Sequence, residues 1–143
     1  MRQQIIKKVR VIIYDIKKGE PRFLILHRIL RWRGWEVLKE TIEPSETPLK
    51  ALKRGIKEET GLKKFKIIKK LNKKEKWQAL GNYYRIVNIF LVRANMKQKI
   101  SLKQKVREHD KYQWLDKKTA LKKLTWPKTR QLIKSFETEE YLI

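Results

Sequence analysis

The stretch RGIKEETGL, residues 54–62, places a glycine inside what its surroundings specify as a helix. Thr47 is an N-cap candidate, Pro48 sits where a missing N–H is harmless, and Gly61 with Leu62 forms a stop. The spacing predicts a helix at about 47–60, with Leu49, Leu52 and Ile56 on one stripe facing the core. Ala51, Gly55, Glu58 and Glu59 share the neighbouring flank. An interior glycine costs a helix about 1 kcal/mol relative to alanine. Either the site wants no side chain at Gly55, or a side chain that once worked there has gone. Glu58 and Glu59 follow at i+3 and i+4, so a side chain at 55 would point at both. Carboxylates gathered in this way suit Mg²⁺ or Mn²⁺. The plainer reading is an exposed face on which Arg54 pairs with Glu58.

Upstream, residues 5–16 (IIKKVRVIIYDI) alternate as a strand, with Val9, Val11 and Ile13 on one face. The turn KKGEP joins it to a second, more buried strand, RFLILHRI, and the two form a hairpin. Residues 30–46 read as a loop-rich passage with a short strand-like WEVL. Its WRGW segment, residues 32–35, reads as a rim over a nucleotide or as packing for the loop, and His27 as structural. Downstream, FKIIKKL, KWQAL, YYRIVNIFLVRA and YQWL are β-like segments. Asp116 caps the helix KKTALKKL, and Pro127 opens another that carries Leu132, Ile133 and Phe136. This order predicts a mixed sheet covered by helices, α+β in composition and layered as an α/β/α sandwich.

The 143 residues fit one domain, 1–143, large enough to bury a core without staples. Cysteine is absent, which excludes disulfides and thiolate metal sites. The N-terminus lacks a long apolar segment, and the run IVNIFLV is too short to span a bilayer. A soluble, cytoplasmic protein without a membrane partner is expected. Lys and Arg outnumber Asp and Glu 38 to 15, for a net charge of +23. Such a field attracts polyanions, although lysine-rich coating of every solvated face would give the same count.

Over a longer window, WEVLKETIEPSETPLKALKRGIKEETGL resembles the Nudix hydrolase family, whose box runs G-x5-E-x7-R-E-U-x-E-E-x-G-U with U a bulky aliphatic residue. Glu46, Arg54, Ile56, Glu58, Glu59, Gly61 and Leu62 stand at the matching offsets. RFLILHR and REHDKYQWLDKKTALKKL are similar to segments of the branch that contains the bis(5′-nucleosyl)-tetraphosphatases. The resemblance implies hydrolysis of dinucleoside polyphosphates or related nucleotides, with Mg²⁺ or Mn²⁺ activating water at a phosphoanhydride.

By the same resemblance, Glu58, Glu59 and Glu108 are the catalytic carboxylates and Arg54 orients them. Lys39 and Arg85 would neutralise polyphosphate; Tyr84, at the entry to a strand, reads either as a stacking partner for a base or as core. Ile89 stands near the place of an expected aromatic, which weakens the stacking. Two box positions depart: Glu40 replaces the opening glycine and Gly55 replaces the first glutamate of the R-E-U-x-E-E segment. The implied metal set is then Glu58 and Glu59, with Glu40 as a possible substitute for the carboxylate missing at 55. Simple drift at both positions after loss of catalysis is the alternative. That alternative goes with a silent Nudix-fold module binding RNA or a ribonucleoprotein through its basic surface.

Overall fold

The computed structural model describes residues 4–78, 83–104 and 106–136. Strands β1 (Gln4–Lys17) and β2 (Glu20–Arg28) form the expected hairpin. Its tip, Lys18 and Gly19, has φ of 52° and 78°, the left-handed pair that a two-residue turn needs to match strand twist. Strands β3 (Gly34–Glu36) and β4 (Leu38–Thr41) follow, then helix α1 (Pro48–Thr60). Strands β5 (Lys66–Gln78), β6 (Tyr83–Arg93) and β7 (His109–Asp116) precede helices α2 (Lys117–Lys123) and α3 (Pro127–Lys134).

The seven-stranded sheet is mixed. Strands β1 and β6 run parallel, and every other pairing is antiparallel. Strand β1 divides one of its edges: Lys8–Val11 pair with β4, and Tyr14–Lys17 pair with β2. Strand β2 then continues beside β3 and β7. This leaves the short β3–β4 passage between two wings of the sheet.

Alternation along β1 sorts the core into two layers. Val9, Val11 and Ile13 pack with Leu52 and Ile56 of α1. Ile12 and Tyr14 pack on the opposite side with Ala120 of α2 and Leu132 and Ile133 of α3. Helices thus cover both faces, as the α/β/α expectation requires.

Thr47 caps α1, accepting from the Lys50 N–H, and Gly61 ends it at φ 71°. Leu49 departs from the expected stripe: it is 46% exposed, while Leu52 and Ile56 are fully buried. It lies in the first turn of α1, whose residues are exposed or half-buried as far as Lys50. FKIIKKL and the start of KWQAL belong to one strand as far as Gln78, and the remainder of KWQAL lies outside the described residues. The strand expected at WEVL in the loop-rich 30–46 passage is present but split into β3 and β4, and β4 runs on to Thr41 through backbone pairing with β1 rather than through an apolar run. Among the described residues, no helix is long and apolar enough to cross a membrane.

Candidate active site

Helix α1 turns its carboxylate flank toward β4 and the start of β7. Glu59 is buried, 7% exposed, although it is an acid in the last turn of a helix. Its Oε2 has no hydrogen-bond partner and lies 3.6 Å from Nδ1 of His109, which is equally unsatisfied. A buried polar atom left unpaired costs about 1–3 kcal/mol, so the pair marks a place where something is expected to bind or bridge. Glu108 completes the group: one ligand atom from each of Glu59, Glu108 and His109 lies within 4.8 Å of the others. The loop that carries Glu108 is tied down at two points. Ser101 N–H donates to the Thr60 carbonyl at the end of α1, and Ile29 N–H donates to the Glu108 carbonyl.

His109 is 2% exposed and sits between two acids. Its Nε2 donates to Oε2 of Glu36 at 2.8 Å. Burial works against a charge on the ring, but the flanking carboxylates of Glu36 and Glu59 outweigh it and hold the imidazole at about 9. Glu36 also accepts from Arg28 Nη1 at 3.1 Å. Burial pushes its carboxyl up, and His109 and Arg28 together more than reverse that, leaving it below the ordinary range. Glu108 goes the other way, raised by burial and then by the negative charge of Glu59.

Arg54 organises the outer side of the cluster. Its Nε and Nη2 make a bidentate pair with Glu46, both bonds 2.8 Å long, and Nη2 also donates to the Thr41 carbonyl. That fork leaves Nη1 facing Glu40 at 3.4 Å and Glu58 at 3.5 Å. The Glu58 side chain is 58% exposed, at the outer margin of the group. Glu40 stands beside α1, directly over Gly55: a Cβ built on Gly55 would lie 3.0 Å from Glu40 Cγ. Burial, and then the charge of Glu59, raise the Glu40 carboxyl, against the pull of Arg54.

On the opposite face of the sheet lies a cavity of about 610 Å³ whose cations are Arg10, Lys39, Arg85 and Lys128. Trp32 and Trp126 form its aromatic edge, their rings 5.3 Å apart and nearly perpendicular. Arg10 Nη1 donates to Thr129 of α3, which fixes the cationic wall against that helix. Burial first, and then the charges of Arg10 and Lys8, push the Lys39 ammonium down to about 8. Glu36 lines this cavity as well. The Glu36–His109 bond therefore joins the cavity to the carboxylate cluster.

Lys39 and Arg85 thus meet in one cavity, and Glu59 and Glu108 meet in one cluster. Tyr84 neighbours Arg85 on β6 and therefore points to the other face of the sheet. It shares that face with Phe90 and Val92 of the core beneath α1. His27 pairs with Asp110 at 2.6 Å and stacks at 4.9 Å on Trp35, which makes it part of the packing. WRGW divides its roles, with Trp32 at the cavity and Trp35 against the core.

Sequence reasoning missed Glu36, Arg10 and Trp126, and gave His109 no role of its own. Arg10 had a signal: it holds a position in phase with Ile12 and Tyr14, where a solvated residue is out of place. Glu36 and His109 had none, because their meeting depends on how β3 and β7 lie against β2.

The sequence model of the NUDIX domain family matches residues 6–136. Among solved structures, the chain is similar to a Caenorhabditis elegans Ap4A hydrolase in a binary complex. Identity there is 22% and the TM-score 0.74, over 90% of this chain and 93% of that one. A Listeria monocytogenes putative NUDIX hydrolase gives 19% and 0.74, over 89% and 88%. The Escherichia coli dihydroneopterin triphosphate pyrophosphohydrolase gives 21% and 0.73, over 95% and 97%. A search of curated protein sequences returns no match.

Proposed function

The chain belongs to the Nudix family, and from that premise we propose that it hydrolyses nucleoside polyphosphates, dinucleoside tetraphosphates among them, with a divalent metal. The observation that carries this reading is the buried Glu59 Oε2, without a hydrogen-bond partner and beside Glu108, next to a cavity walled by arginine and lysine. The His109 imidazolium already faces Glu59, and a divalent cation would offset the charge that Glu108 adds beside it. An oxygen-rich set of this kind fits Mg²⁺ or Mn²⁺. Glu59 and Glu108 would hold the metal, with Glu58 reaching in from the outer margin.

The chemistry such an ion supplies is neutralisation of phosphate oxygens and a lowered pKa for the attacking water. The protein's own groups do the rest. Arg10, Lys39 and Arg85 bind and orient the polyphosphate, and the crowding of their charges is relieved when an anion enters. Trp32 and Trp126 offer an apolar edge to a nucleobase. Arg54 keeps Glu58 aimed at the cluster, and the cluster carboxylates accept the proton that leaves the water.

Assays of diadenosine tetraphosphate and nucleoside triphosphates with Mg²⁺ and with Mn²⁺ test this. Turnover that needs the ion and is lost in Glu59→Gln is the expected result; full turnover in Glu59→Gln would overturn it. The other reading, a silent module on RNA, has basic surface behind it, such as the hollow lined by Lys99, Lys103, Arg107 and Lys111, but no feature that selects RNA among the described residues.

A further inference from the structure

We propose that Glu40 supplies, from strand β4, the metal-facing carboxylate that helix α1 lacks at Gly55, and that the glycine is there to make room for it. This rests on the metal site proposed above.

The departures at 40 and 55 lie far apart in sequence, yet the fold puts them in contact. A Cβ on Gly55 would meet Glu40 Cγ at 3.0 Å, Cβ at 3.1 Å and Oε2 at 3.4 Å. The Glu40 side chain therefore lies where a residue-55 side chain would begin. Any residue but glycine would push it aside. Gly55 is itself buried, so the space is not simply solvent.

Glu40 is not one of the three residues whose ligand atoms converge within 4.8 Å, Glu59, Glu108 and His109, but its side chain points to the same face. Glu40 pairs across the β1–β4 ladder with Val9, a residue of the core layer beneath α1, so its side chain belongs to the α1 face. Its Oε1 faces Arg54, and the rest of the carboxyl lies over the turn of α1 that leads to Glu59 at i+4. The charge of Glu59 is felt at Glu40, which puts the two carboxylates in one field. A second observation at the cluster is the nine-tenths-buried Glu59 Oε2, which has no hydrogen-bond partner and only the His109 imidazole, 3.6 Å away, to face its charge. Drift after loss of function accounts for a glutamate and a glycine at two positions, but not for one filling the space left by the other.

The test measures Mn²⁺ binding by calorimetry, and thermal unfolding with and without Mn²⁺, on five proteins: wild type, Glu40→Gln, Glu59→Gln, Gly55→Glu and the double variant Glu40→Gly/Gly55→Glu. Glu40→Gln preserves shape and packing, so a loss of binding there is not a loss of fold. It should weaken Mn²⁺ by about tenfold or more, since even outer-shell partners of a metal site count on that scale. Gly55→Glu alone should unfold at a lower temperature, because its side chain collides with Glu40. The double variant restores the family's arrangement and should regain both stability and Mn²⁺ affinity. Wild-type affinity in Glu40→Gln, with affinity lost in Glu59→Gln, would overturn the transfer while leaving the metal site standing. No Mn²⁺ binding by the wild type would overturn both.

Discussion

Arg54 shows how much one side chain can fix. Its bidentate grip on Glu46 spends the directional part of the guanidinium on a structural partner and leaves Nη1 for Glu40 and Glu58. The same grip, helped by the Glu43 N–H, holds the Glu46 carboxyl down at about 2. A carboxyl depressed on folding contributes stability above its unfolded pKa, near 4.5, and loses it as pH falls toward its folded one. Glu46→Gln should therefore be less stable than wild type at neutral pH. The gap should close between pH 4.5 and about 2, as read by urea unfolding across that range. Arg54, Glu46, Glu58 and Glu59 were all legible as positions in the box, and so was the oddity of Gly55. What Glu40 touches was not legible, because it depends on the distance between a strand and a helix. Glu36 and His109 escaped for the same reason: neither has a neighbour in sequence that announces a buried ionic bridge.

At the scale of elements, α1 is the clearest case of a segment that states its own limits, with Thr47, Pro48 and Gly61 in the expected places. Gly61 carries a second duty. Its left-handed φ of 71° lets the chain turn, and a Cβ there would lie 3.1 Å from Ser101 Cβ. Ser101 donates its N–H to Thr60, so the glycine fixes how closely the loop before Glu108 approaches the helix. Gly61→Ala should cost about 1–2 kcal/mol in chemical denaturation from the backbone alone. The short strands β3 and β4 are the opposite case. Four residues with two charges, LKET, carry no periodic apolar signal, and only pairing with β1 makes them a strand. Leu49 errs in the other direction: periodicity put it in the core, and its place in the first turn of α1 leaves it exposed.

The sheet separates two chemical territories: Glu40, Glu58, Glu59 and Glu108 gather on the α1 side, and Arg10, Lys39 and Arg85 on the α3 side, with Glu36 reaching both. The net charge of +23 draws polyanions to the whole surface, and the cavity next to the carboxylate cluster gathers Arg10, Lys39 and Arg85 around one volume. Arg85→Ala should raise KM by about tenfold, the worth of a hydrogen bond to a charged group, with kcat nearly unchanged. Wild-type KM should rise with added salt, and more steeply than that of Arg85→Ala, in steady-state assays across ionic strength.

The boundary between the two territories is one peptide bond wide. Lys39 opposes Arg10 and Glu40 opposes Val9, so consecutive residues of β4 serve opposite sides. Inserting or deleting a single residue ahead of them would deliver the ammonium to the acid cluster and the carboxylate to the cationic cavity. The composition would hardly change, yet both halves of the site would be poisoned at once. The electrical polarity of this protein is thus a matter of strand phase, and β4 should tolerate substitution far better than any change in its length.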